Sequence, residues 1–387
     1  MSNLKGKYAI VGAGETPVGK LGGHSTLALH QWSIKNALED AGLRPQDVDG
    51  LLTNQPTDDP RRSYAVEVAH AVGIKPTYLT DLALGGATPI AMVQHAAMAI
   101  EAGLANTVVC VHARVRASKA LIPTRAEVRD GEEDYEEPYG LIGAIATHAF
   151  AASRHMYEFG TTSEQLGAIA IATRKHACLN ANATMRKPIT LEDHQNSRWI
   201  VEPLHLLDCS LNSDGGGAVI VTSAERARSM KNRPVYILGM GIHSPHATLA
   251  EAPTITTLGG KVSSTRAYEM AGLGPKDMQF AEIYDCFTIT TLITLEDYGF
   301  CPKGEGGRWV EGGRIELGGE LPVNTHGGLL SQAHIEGMLH VVEGVKQLQG
   351  GKVEPERQVK DAKVGIVSGH GGSLNTHATL ILGNEIP

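Results

Sequence analysis

The stretch Ala41-Gly42-Leu43-Arg44-Pro45-Gln46-Asp47-Val48 returns later in the chain as Ala271-Gly272-Leu273-Gly274-Pro275-Lys276-Asp277-Met278. Each copy follows a helical pattern and precedes an apolar run. The strand-like YAIVGAG (8–14) leads the first copy, and VYILGMG (235–241) leads the second at nearly the same offset. A Gly-Gly pair then opens a helical pattern in each half, Gly85-Gly86 and Gly327-Gly328, and the helices end at Gly103 and Gly350. Each half closes on a glycine-rich entry to an apolar strand, SDGGGAVIVTS and SGHGGSLNTHATLIL. One AGLxP match carries little, because helix–Gly–Pro punctuation is common. The same five features in the same order indicate a duplicated unit. Halves of 1–230 and 231–387 are expected, with residues from about 114 to 210 as an insertion that has no counterpart in the second half.

The apolar runs are typically bounded by glycine and apolar on both faces. TVVCVHA (107–113), GAVIVTS (217–223), KVGIVSG (363–369) and ATLILG (378–383) join the two leading runs. Such runs suit a sheet covered on both sides by helices. Helical patterns at 27–42, 89–103, 163–181 and 328–350 alternate with them, which predicts an α/β protein.

Composition narrows the class. The 387 residues carry 34 Lys+Arg against 42 Asp+Glu, a formal charge of −8, which argues against a nucleic-acid binder. No apolar run approaches the length of a membrane span. The N-terminal stretch lacks the pattern of a secretory signal, so a cytoplasmic protein is expected. The five cysteines, Cys110, Cys178, Cys209, Cys286 and Cys301, form no CxxC pair and are expected to be reduced thiols. The 17 histidines show neither HExxH nor Cys pairing, so no metal site is expected. VGAGETPVG (11–19) begins like a dinucleotide fingerprint but has Pro17 where the third glycine belongs, and NAD binding is rejected.

Three long segments, 188–228, 281–301 and 324–350, resemble the thiolase superfamily, and within it the sterol-carrier-protein-type thiolases. The resemblance spans nearly the whole chain. It implies a thiolase fold of duplicated αβαβα halves with a pseudo-twofold, a homodimer, and acyl-CoA thioesters as substrates, with no bound cofactor. It also implies a nucleophilic cysteine at the start of the helix near 87–103. Counting back from Gly103 puts Gly86 at that place. No cysteine lies before Cys110 or after Cys301, so the second cysteine of a thiolase is missing too. The thiolase histidine matches His334 in SQAHIEG. Tyr284, in Tyr284-Asp285-Cys286-Phe287, stands where a thiolase commonly has Asn or His.

Acyl transfer by the thiolase route needs a covalent thioester, and glycine offers no nucleophile. The pattern is similar to the thiolase-like aldolases of sterol side-chain degradation. These lack the cysteine and cleave a β-hydroxyacyl-CoA with the help of a small OB-fold partner carrying a zinc ribbon. The resemblance therefore implies a carbon–carbon lyase, with Tyr284, His334 and His370 as catalytic candidates. Gly86, His326, Gly371 and Gly372 are the substrate-binding candidates. Two alternatives stay open: an acyltransferase using a displaced nucleophile such as Cys286, and a non-catalytic acyl-CoA-binding subunit. The basic stretch Arg114, Arg116, Lys119, Arg125 is a candidate contact for CoA phosphates or for the acidic run at 130–137.

Overall fold

The computed structural model describes residues 4–56, 61–119, 136–141, 143–372 and 374–387. Arg125 and most of the acidic run fall outside the described residues. Among the described residues, nine strands form one sheet. They are β1 (Tyr8–Glu15), β2 (Gly50–Asn54), β3 (Tyr78–Leu82), β4 (Thr107–Arg114), β5 (Gly215–Ser223), β6 (Val235–His243), β7 (Ala281–Glu282), β8 (Val364–Gly371) and β9 (Thr376–Gly383). The spatial order is β3-β2-β4-β5-β1-β6-β9-β8-β7. Residues 8–223 thus contribute the order third-second-fourth-fifth-first. The second set repeats it, with β7 in second place and a single parallel bridge from Ala281 to Val323 standing for the third strand. The two sets meet antiparallel through Ala9↔Tyr236 and Ile10↔Val235, as a twofold requires.

The repeated octapeptide does the same work twice. Helix α1 (Thr26–Ala41) ends at Gly42, and a later helix, Gly260–Ala271, ends at Gly272; both glycines are left-handed, at φ 70° and 64°. A 3-10 turn follows each, at Pro45–Asp47 and Pro275–Asp277, and Asp47 and Asp277 accept from the backbone N–H groups of Arg44 and Gly274. Gly and Pro cannot continue a helix here, and the aspartate satisfies a donor that the turn leaves open.

Glycines set the layer spacing. A Cβ on Gly12 or Gly14 of β1 would come within 3.0 Å of the backbone of α1. The GxG at this strand therefore lets a helix lie close on the sheet, which accounts for it without a dinucleotide. The middle helical layer is α2 (Thr88–Glu101) with α3 (Met338–Gln349). Ten of the residues in each are buried, and both helices touch strands from the two sets. Helices buried nearly all round belong inside such a stack.

The expectation of one helix over 328–350 is corrected. Gly328–Gln332 forms a single wide turn, the chain is extended at Ala333, and α3 begins only at Met338. The matching of Gly327-Gly328 with Gly85-Gly86 is corrected with it. The tight turn whose bridge joins Leu84 to Gly86 has its twin in the bridge from Ile335 to Gly337. The sequence hides this because the middle residue is Gly85 in one turn and Glu336 in the other, both with positive φ. Among the described residues no helix is long and apolar enough to cross a membrane.

Candidate active site

The starts of α2 and α3, the end of β8 and the loop after β7 converge on one place. A Cβ added to Gly337 or to Gly369 would press within 3.0 Å of the Gly86 carbonyl oxygen. One added to Gly371 would collide with the Leu84 carbonyl, and Gly85 lies against Gly371 and Gly372. Gly85 and Gly371 thus meet backbone to backbone, which brings Gly86 and Gly372 into one place; a Cβ at Gly86 would instead meet a side chain, and one at Gly372 the side-chain amide of Asn375.

Tyr284 enters from the loop between β7 and the helix Thr288–Asp297. Its N–H donates to Ser368 Oγ at 2.9 Å, and the residue is 3% exposed. The phenol fills the space beside Gly86: a Cβ there would lie under 3.0 Å from Cζ, Cε2 and Oη of Tyr284. The missing cysteine and the tyrosine therefore exclude one another sterically.

Tyr284 Oη lies 3.1 Å from His334 Nε2 and donates to Glu336 Oε2 at 2.9 Å. His334 Nδ1 is 3.0 Å from Ser210 Oγ, and its N–H donates to Ser213 Oγ at 3.1 Å. Arg114 Nη1 closes the chain 2.5 Å from Glu336 Oε1. The side chains of His334 and Glu336 keep 14% and 19% of their surface, so the group opens to solvent on one side. Burial, then the Glu336 charge, pushes the Tyr284 phenol well above its ordinary value. Burial lowers His334 even though Glu336 works against it. Burial would raise Glu336, but Arg114 and then His334 outweigh it and hold the carboxyl well below its usual range. At neutral pH the site therefore has a neutral phenol, a neutral imidazole and a carboxylate.

His370, at the end of β8, faces the same tyrosine, with ring centroids 6.2 Å apart. It is 2% exposed, and neither ring nitrogen has a hydrogen-bond partner among the described residues. Burial, then neighbouring His148, drives its pKa well down. His326 is turned away. Its Nδ1 lies 2.8 Å from Glu282 Oε2, and its ring packs 4.7 Å from His340. Burial opposes its protonation, but Glu282 wins and raises the pKa. His340 in turn reaches Asp285 at 3.2 Å and stacks at 6.1 Å on Tyr284. Cys286 is buried, with Sγ 3.5 Å from His148 Nε2 and 3.4 Å from Thr290 Oγ1. Burial pushes its thiol up to about 12, the opposite of an activated nucleophile.

Sequence reasoning did not identify Glu336 or the pairing of Arg114 with it. Arg114 was visible only as part of a basic stretch. The signal for Glu336 was its place two residues after His334, but nothing local reports that it sits in a left-handed turn 222 residues from its arginine. Asp214, in the SDGGG entry, fixes that arginine's strand end: it accepts from the N–H groups of Arg116, Ala117 and Ser118 and from Leu21 N–H.

Comparisons with known proteins agree with this architecture. The Thiolase C-terminal domain-like family matches residues 241–384. The 17-hydroxy-3-oxo-4-pregnene-20-carboxyl-CoA lyase of Mycobacterium tuberculosis is 42% identical over 93% of this chain and 96% of its own. The steroid side-chain-cleaving aldolase of Thermomonospora curvata is 39% identical over 94% and 96%. Among solved structures, the Ltp2-ChsH2(DUF35) aldolase superposes with a TM-score of 0.90 at 39% identity, covering 99% of both chains. The chain belongs to the thiolase superfamily, in the thiolase-like branch that holds the steroid side-chain-cleaving aldolases.

Proposed function

We propose that this protein is a CoA-dependent carbon–carbon lyase. It cleaves a bulky β-hydroxyacyl-CoA of the steroid side-chain type by a retro-aldol step. The observation that carries this is the exchange at Gly86: the phenol of Tyr284 takes the room of a thiolase nucleophile, within reach of His334 and Glu336. At residue 86 an acyl-enzyme has no atom to form on, whereas proton-handling groups are abundant around it. The aldol direction needs only those groups and a site for the enolate.

In this reading the substrate's tertiary hydroxyl loses its proton, the Cα–Cβ bond breaks and a ketone leaves. The electron pair stays as a thioester enolate, which is then protonated at Cα. Tyr284 and His334 are the proton-handling pair, and His370, whose ring nitrogens have no hydrogen-bond partner among the described residues, is a third contact. Backbone N–H groups at the Gly86 turn, where α2 begins, and at Gly371–Gly372 are the donors for the thioester oxygen, at the positive end of the helix dipole. His326 supports the wall behind Tyr284 through His340 and is not assigned a substrate contact.

The chain's halves are taken as 1–230 and 231–387, and the enzyme as a cytoplasmic homodimer. The solved Ltp2-ChsH2(DUF35) aldolase carries a DUF35 protein in its name. A small OB-fold, zinc-ribbon protein of that type is the proposed partner here. Coenzyme A enters as part of the substrate, and no resident cofactor is invoked. Tyr284→Phe and His334→Ala, each assayed for ketone release from such an acyl-CoA with the partner present, test the site. Wild-type rates in both would remove it.

A further inference from the structure

Glu336 occupies a conformation that does not suit it. At φ 48° it lies in the left-handed region, which costs an L residue and is the ordinary place of glycine. Its twin turn shows that glycine does serve: there the middle residue is Gly85, at φ 54°. The backbone alone therefore gives no reason for a glutamate. The side chain supplies one, because its two oxygens divide between Arg114 and Tyr284.

Proton counting then fixes the direction of the chain. The Tyr284 hydroxyl has one hydrogen. Glu336, paired with a guanidinium, is a carboxylate and can only accept, so that hydrogen points to Oε2. His334 Nε2, 3.1 Å from the same Oη, must then bring a hydrogen of its own. A neutral imidazole with Nε2–H leaves Nδ1 bare, and Ser210 Oγ stands 3.0 Å away to donate to it. Every member has one consistent role, running Ser210 to His334 to Tyr284 to Glu336.

We propose that Glu336 is the proton acceptor behind Tyr284, so that Tyr284 takes the substrate hydroxyl proton while His334 stays a donor. This rests on the aldolase reading and assigns the base within it. The substrate O–H breaks and its hydrogen passes to Tyr284 Oη as the phenol's own hydrogen passes to Glu336 Oε2. The alkoxide electrons form the ketone C=O, and the Cα–Cβ pair becomes the thioester enolate. The proton returns from Glu336 through Tyr284 to Cα, so the cycle closes with no net proton. Glu336 acts through Tyr284 and is a positioning and proton-holding residue rather than a substrate contact.

The test uses the full chain, with the small partner added if the wild type needs it. The substrate is the 17-hydroxy steroid acyl-CoA for which the mycobacterial lyase is named, and ketone release is followed for Glu336→Gln and Glu336→Gly. Both are expected to lose at least about 100-fold in kcat with KM nearly unchanged. Glu336→Gly is relieved of strain but leaves Arg114 without its carboxylate, so it is expected to fold and to melt below wild type, and added formate is expected to restore its rate at least about tenfold. Near-wild-type kcat in Glu336→Gln, or a loss in Glu336→Gly that formate leaves untouched, overturns the proposal. Tyr284→Phe and His334→Ala run alongside separate the two failures. If those two keep their rate, the aldolase site itself falls. If they lose it and the Glu336 variants do not, only the role of Glu336 falls.

Discussion

Replacing Gly86 by alanine adds one methyl group at the most crowded point of the site. The new Cβ would sit closer than 3.0 Å to three atoms of the Tyr284 ring, where ordinary contacts begin at 3.4 Å. The ring must retreat by roughly 1 Å or more to restore normal separation. It has little freedom to do so. Its backbone N–H is tied to Ser368, its Oη is shared by His334 and Glu336, and His340 stacks on its face. Overpacking of this kind costs about 1–3 kcal/mol of stability. A displacement of about 1 Å in a positioned catalytic group costs about 100-fold in rate. Gly86→Ala is therefore expected to melt a few degrees below wild type yet remain folded, with kcat for aldol cleavage down about 100-fold or more. Steady-state kinetics alongside thermal unfolding measures both. A Gly86→Ala enzyme with wild-type kcat would refute the steric exchange between residue 86 and Tyr284.

Cys286→Ser should keep turnover within about threefold of wild type, because the thiol is buried and held protonated; loss of activity together with loss of an acyl adduct by intact mass would favour the displaced-nucleophile alternative. Arg114→Met strips Glu336 of its cation and should lower both kcat and stability, the latter by up to about 3–5 kcal/mol for this largely buried pair; unchanged melting and kinetics would contradict the pairing. Acid should destabilise the fold. Burial lowers His112 and His377 to about 3, and His148 and His176 to about 4, from an unfolded value of 6.5. Their folded values lie below their unfolded ones, so the unfolded chain binds more protons. Stability is then full above pH 6.5 and is lost as pH falls toward 4, each histidine adding up to about 1.4 kcal/mol per pH unit. Melting temperatures that stay level from pH 7 to pH 5 would contradict this.

The fold was legible because its signals are local. Apolar runs flanked by glycine became β1, β4, β5, β6, β8 and β9, and the Gly-Leu-x-Pro punctuation became two superposable helix exits. Where a signal depended on tertiary context, it failed. The periodicity of 328–350 could not show that Ala333–Gly337 leaves the helix, since apolar residues continue through the break and the interruption is set by packing against Gly86 and Gly369. The site divides the same way. Gly86, Tyr284, His334 and His370 could be found because motif positions point to them, and they do converge. His326 shares their glycine-rich setting, yet its ring turns to Glu282, a choice made by a buried charge that local sequence does not reveal. Glu336 and Arg114 escaped because an ion pair across 222 residues and a left-handed glutamate leave no periodic trace.

The central claim is that this thiolase-fold protein breaks carbon–carbon bonds without an acyl-enzyme. Incubating it, with the proposed small partner added, with a tertiary β-hydroxyacyl-CoA tests that directly when ketone, shortened acyl-CoA and intact protein mass are measured together. The expected result is ketone and acyl-CoA in equal amounts, no requirement for free CoA, and an unmodified protein mass. Cleavage that consumes free CoA and leaves an acyl group on the chain would contradict it.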